Sequence, residues 1–173
     1  MSFLTRLVYG IILGFLSFLS AVFLGFIQGK LVATFSLIGT SIVLEAQPAA
    51  VASLPLHFHP FSGAVISILG NLVVVPVFSF TIEEIINRWK WIRKKLQKTE
   101  RWSHTFEKYG AWALIPLSPV LGAYVCIGVG HLLRWKRRRV LTNVLIGMVV
   151  STFAITYGGH SIFMLLTSWL KWF

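Results

Sequence analysis

The sequence predicts an all-α integral membrane protein: an inverted repeat of two re-entrant hairpins, each followed by a transmembrane helix, behind an N-terminal transmembrane anchor. Three observations carry this expectation. The chain of 173 residues is 56% apolar and 12% charged, with a mean hydropathy of +0.78, a balance found in polytopic membrane proteins rather than soluble domains. Its 16 Lys and Arg, against 5 acids that are all Glu, lie between long apolar runs, as membrane topology requires and a nucleic-acid surface would not. Finally, the apolar run 111–133 is flanked by basic clusters on both sides, eight basic residues in 83–110 and five in 134–139. Short basic segments stay cytoplasmic, so this run has to begin and end on the same side.

The elements follow in order within a single membrane domain, residues 1–173. Residues 7–27 hold no charge and exceed the length of a signal-peptide core, so they read as a retained transmembrane anchor with the N-terminus inside. Residues 31–56 are long enough to cross but contain Glu45, Gln47, Pro48 and Pro55, which reads as a first re-entrant hairpin broken near Pro48. Residues 60–82 form a transmembrane helix. In 83–110, Ile85, Trp89, Ile92 and Leu96 recur at helical spacing, describing a basic amphipathic cytoplasmic helix at an anionic surface or a solvated loop. Residues 111–133 form the second hairpin, with Pro116, Pro119 and Gly122 at its turn. Residues 140–157 span again. Gly158, Gly159 and His160 interrupt the chain, and 160–173 read as interfacial or as a helix extension.

The hairpin resolves the same-side conflict. Two arms of about eleven residues reach about 16 Å each, the bilayer midplane. Broken backbone at that depth survives only where protein or a wet cavity satisfies it. The halves also resemble each other, with Asn71 placed over Asn143 and Pro48 over Pro119. Because the first hairpin enters from outside and the second from inside, such a repeat would be inverted.

Glu45 and Pro48 ahead of a long span, Gly70-Asn71 within it, "FEKYG" at 106–110 before the Pro-rich "PLSPVLGAY", and a basic run leading to Asn143 and Gly147 together resemble the small multidrug export protein family, which is similar to the wider DedA-like membrane proteins. The resemblance covers roughly residues 40–157. It implies inverted repeats with two hairpins and transport of lipid-linked or small amphipathic compounds, with proton-motive force as a driving force. Gln47 stands where the family carries Arg, and no Arg lies between Gly110 and Leu133, where DedA-like patterns have arginines.

Glu45 leads the candidate sites, since a carboxylate enclosed by an apolar stretch costs roughly 2.5–3.5 kcal/mol on insertion scales unless a partner, proton or water accompanies it. Gln47, Asn71, Ser118 and Asn143 can hydrogen-bond a substrate headgroup or glue helices together, and Tyr124 can close a cavity. The histidines of "HFH", His57 and His59, are too few to hold a metal and read as a wet outer loop. Cys126 is alone, and no catalytic triad, paired acids or phosphate loop is present. The expectation is therefore a small secondary transporter or lipid-translocating protein of the cytoplasmic membrane, not an enzyme, without cofactor or metal. A membrane-shaping scaffold is the alternative. Expected partners are membrane lipids, with anionic headgroups at the basic segments, a proton, and a second copy of the chain.

Overall fold

In hydrocarbon the backbone has no water to bond, so a segment must close its own hydrogen bonds or be walled by other protein. The computed structural model describes residues 3–88, 110–133 and 135–170, and among them every regular element is helical. The elements are α1 (Phe3–Ile27), α2 (Leu31–Leu44), α3 (Ala46–Ser53), α4 (Pro60–Leu72), α5 (Val75–Arg88), a 3₁₀ turn (Gly110–Ala113), α6 (Leu114–Leu121), α7 (Ala123–Leu132) and α8 (Arg137–Leu170). Three stretches are long and apolar enough to cross a membrane: Leu4–Ile27, Pro60–Ile82 and Arg137–Gly159. Two shorter apolar stretches, Leu31–Leu44 and Gly110–Leu121, lie between them in sequence.

Two expectations about helix ends change here. The interruption expected at Gly158, Gly159 and His160 does not occur, because α8 runs unbroken from Arg137 to Leu170. Glycine costs a helix about 1 kcal/mol, less than the several kcal/mol of leaving backbone groups unbonded in lipid. The span expected at 60–82 instead contains a turn at Val73 and Val74, whose N–H groups bond the carbonyls of Gly70 and Asn71 three residues back. Pro76, which has no N–H to donate, follows directly. The amphipathic helix expected in 83–110 begins as the end of α5, and 89–109 lie outside the described residues.

The chain divides into two compact units, Met1–Ile12 with Val75–Gly147, and Leu13–Val74 with Met148–Phe173. In the second unit α2 packs on both α3 and α4, and α3 on α4, around a core of Ala21, Leu37, Ile38, Phe58 and Ile66. Gly14 of α1 lies so close to the carbonyl of Val73 that a Cβ there would collide with it. In the first unit α7 packs on α6 and α5, around Val75, Leu114, Ala123, Cys126, Ile127, Val140 and Val144.

Each unit contains the same device. One residue separates α2 from α3 and one separates α6 from α7: Glu45 at φ 77°, ψ 176° and Gly122 at φ 86°, ψ 159°. The carbonyl of each already accepts the first bond of the following helix, from Ala49 N–H at 3.4 Å and Cys126 N–H at 3.1 Å. The serine four residues before each break, Ser41 or Ser118, is fully buried and sits against a glycine of the helix that follows the broken pair, α4 or α8. A Cβ on Gly70 would lie 2.9 Å from Ser41 Cβ, and one on Gly147 would collide with Ser118 Oγ and the Ile115 carbonyl. Positions 41 and 118, 45 and 122, 70 and 147 all differ by 77. The same spacing aligns "LIGTSIVLEA" at 37–46 with "LIPLSPVLGA" at 114–123, six of ten residues being identical.

This spacing corrects the expected pairing of Asn71 with Asn143 and of Pro48 with Pro119, whose partners by geometry are Met148, Ile66, Val125 and Ile42. It also moves the first break. Pro48 lies in the first turn of α3, where its missing N–H removes a donor that no helical carbonyl could have satisfied. Pro55 lies in the turn after α3, and Pro116 and Pro119 lie within α6. Gly122 is the single residue between α6 and α7, at φ 86°.

In lipid, helices associate largely through close packing of small residues, so the two serine–glycine contacts test the fold. Gly70→Ala and Gly147→Ala should each destabilise the detergent-purified protein by about 1–3 kcal/mol through overpacking. Gly39→Ala, in α2 but with nothing within 4 Å of its Cβ position, should leave the thermal midpoint unchanged or raise it. Equal effects at all three positions would dismiss these contacts as organising ones.

Candidate functional site

The six candidate residues divide evenly between the units. Glu45, Gln47 and Asn71 lie in one, and Ser118, Tyr124 and Asn143 in the other. Gln47 and Tyr124 occupy equivalent positions, each two residues after its break.

Glu45 makes the turn that a proline was expected to make. Positive φ with extended ψ is a region reached almost solely by glycine, and another residue there costs about 1–3 kcal/mol. The side chain is half-buried. Gln47, in the first turn of α3, is 8% exposed and its Nε2 donates to Ser151 Oγ at 3.3 Å; that hydroxyl in turn donates to the Met148 carbonyl at 3.0 Å. Gln47 thus ties α3 to α8 inside one unit, the interhelical role that a membrane amide commonly plays.

Asn71 stands out among the described buried polar side chains of its unit. It is fully buried, and neither Oδ1 nor Nδ2 has a hydrogen-bond partner. The buried hydroxyls around it in the unit bond carbonyls: Ser41 to Ser67, Ser67 to Gly63 and Thr152 to Met148. An amide left dry costs about 1–3 kcal/mol, and Asn71 directly follows Gly70, one residue before the end of α4, beside the turn at Val73 and Val74.

In the other unit every candidate is engaged. Asn143 Nδ2 donates to the Ala111 carbonyl at 2.7 Å, holding the 3₁₀ turn that leads into α6. Ser118 Oγ donates to the Ile115 carbonyl at 3.2 Å. That carbonyl would otherwise face the nitrogen of Pro119, which has no hydrogen, so the serine replaces the bond the proline removes. The Tyr124 ring meets Phe78 edge-on at 5.1 Å. Sequence reasoning missed Ser41, Ser151 and the Gly70/Gly147 pair. The ten-residue repeat at spacing 77 would have revealed all but Ser151.

Two stability measurements follow from this geometry. Glu45→Gly relieves the strained φ and should stabilise the purified protein by on the order of 1 kcal/mol, after allowing for glycine's freer unfolded chain. Asn71→Leu keeps the branched shape and removes the dry amide, and should stabilise by a similar amount. A loss of more than about 1 kcal/mol on Asn71→Leu would mean that the amide has a partner in the membrane.

A family model described as "Putative small multi-drug export protein" matches residues 43–154, a stretch that starts two residues before the first break and ends on α8. No curated protein and no solved structure matches the chain. With more than half of its residues matched, from the strained Glu45 through Gly70 to the Ser118–Gly147 contact, the chain belongs to the small multi-drug export protein family.

Proposed function

We propose that the protein is a small secondary carrier that moves an amphipathic or lipid-linked compound across the cytoplasmic membrane, with proton exchange at Glu45. The observation that carries this reading is the doubled helix–break–helix, with an acid at one of its two breaks. Membership of an export family supports it. None of the four arms is long enough to cross: α2 is 14 residues, α3 and α6 are 8 each, and α7 is 10, so the longest covers about 21 Å of a core of about 30 Å. We read the pairs as re-entrant hairpins, the first entering from outside and the second from the cytoplasm, with the N-terminus inside, because the basic flanks of 111–133 favour one side. Half-helices ending at mid-depth are how carriers present polar backbone to a substrate. A carboxyl at such a break can take a proton on one side and release it on the other, and Asn71 supplies an amide able to donate to and accept from a headgroup.

Topology is tested by single cysteines at Lys98 and Arg138 in a Cys126→Ala background, both of which should react with an impermeant reagent from the cytoplasmic side alone. Reaction from opposite sides would remove the second hairpin.

Mechanism is tested in proteoliposomes carrying a pH gradient, with an amphipathic cationic dye and an amphipathic anionic dye as probes. The wild-type protein should drive uptake of at least one. Glu45→Gln keeps the size and polarity of the side chain but cannot exchange a proton, so it should abolish gradient-driven uptake while downhill exchange persists. Undiminished gradient-driven uptake by Glu45→Gln would exclude this residue as the coupling site, and no movement of either dye by wild type would favour the scaffold alternative.

A further inference from the structure

We infer that the protein holds one anionic phospholipid in the groove between α1 and α2, with its phosphate at Lys30 on the turn that joins them and at the imidazoles of the loop that Lys30 binds. This inference is independent of the carrier reading. The groove has a volume of about 700 Å³ and is lined by Leu19, Phe23 and Phe26 of α1 and Leu31 and Phe35 of α2, with Ser20 as its one polar residue. That volume lies within the range of about 300–1,000 Å³ typical of ligand sites. Ser20 is already bonded to the Leu16 carbonyl of its own helix, so the groove offers an acyl chain an apolar wall and asks for no polar contact in return.

What distinguishes this groove from ordinary lipid-facing surface is its end. Gly29 and Lys30 close the turn between the helices, Gly29 at φ 64°. Lys30 Nζ donates to the Leu56 carbonyl at 3.2 Å and to the His57 carbonyl, and lies 5.0 Å from the centre of the Phe58 ring. This lysine, directly before the groove residue Leu31, therefore ties the 54–59 loop to the turn between α1 and α2, and that loop carries two exposed imidazoles, His57 and His59. His59 Nδ1 accepts from Phe61 N–H, which leaves Nε2 as its outward nitrogen. Carbonyl bonds orient the ammonium but do not neutralise it. The sole acid in residues 13–74 is Glu45, at the far end of α2, about 22 Å away along the helix. A site that is apolar along its length and cationic at one end complements an acyl chain bearing a phosphate. A lysine near a membrane surface is worth about 1 kcal/mol toward an anionic lipid.

The test is site-specific photo-crosslinking of the full-length protein in vesicles of equal parts phosphatidylethanolamine and phosphatidylglycerol. p-Benzoyl-phenylalanine replaces Phe23 in the groove or Phe15, an exposed residue on α1 outside the groove lining, and adduct masses report which lipid was captured. The expected result is a phosphatidylglycerol excess of about fivefold at position 23 and the bilayer ratio at position 15. Lys30→Gln should reduce the excess. Because Lys30 also holds the loop, the decisive variant is the double change His57→Asn and His59→Asn, since asparagine tolerates the positive φ of 55° at position 57 and caps a helix at position 59; it should reduce the excess as well. The bilayer ratio at position 23, or an excess unaffected by both variants, would overturn the assignment. Excess glycerol 3-phosphate should leave the phosphatidylglycerol adducts unchanged, and their loss would identify a free phosphate ester as the occupant and overturn the lipid.

Discussion

In each unit the arrangement depends on two small residues touching at a broken helix: Ser41 against Gly70, and Ser118 against Gly147. A helix that stops inside hydrocarbon leaves carbonyls and N–H groups without partners, and each costs several kcal/mol unless a neighbouring element covers it. Glycine lets the next helix approach to backbone distance, and serine supplies a hydroxyl that can bond a carbonyl at the contact. In α6 the serine serves the Ile115 carbonyl that Pro119 leaves open. In α2, which has no proline, Ser41 reaches across to the Ser67 carbonyl of α4. One local problem is solved with the same pair of residues and two different bonds.

How much of this was legible in the sequence depends on which physical quantity sets each feature. Helical class, the three crossing stretches and the two short ones follow from apolar length and charge placement, quantities summed over twenty residues and insensitive to any one side chain. The break positions are set by single residues and were misread. Proline suggested them, yet Pro48 falls where a helix loses nothing by lacking an N–H, and Pro119 is accommodated by a neighbouring hydroxyl. The residues that turn the chain are Glu45, which no propensity recommends for positive φ, and Gly122, which every propensity does. The continuity of α8 through Gly158 and Gly159 was misread for a related reason, since glycine's helix penalty is small against the cost of open backbone in lipid.

The candidate site was only partly legible. Glu45 drew attention because a charge inside an apolar run is costly by itself. Gln47, Ser118 and Asn143 were recognisable as polar groups that must bond something, but their partners lie up to 104 positions away, beyond the reach of local pattern. Nothing in the sequence says that Asn71 lacks a partner, because satisfaction is a property of three-dimensional neighbours rather than of residue type.

The two helix–break–helix segments, alike in the backbone of the break, differ in where they carry unrelieved cost. At the break one has Gly122, for which the observed φ is cheap, and the other has Glu45, for which it is not. Asn143, the asparagine of the other unit, has a 2.7 Å bond to Ala111, whereas Asn71 is fully buried without one. The Leu114–Leu132 segment thus shows that such a break can be built without a strained φ at a non-glycine residue. A duplicated architecture allows such a comparison, because one copy gives the structural requirement and the departure of the other from it marks what structure alone does not demand. By that measure Glu45, strained at the break between α2 and α3, and Asn71, unpartnered on α4, are the groups of their unit that packing alone does not require.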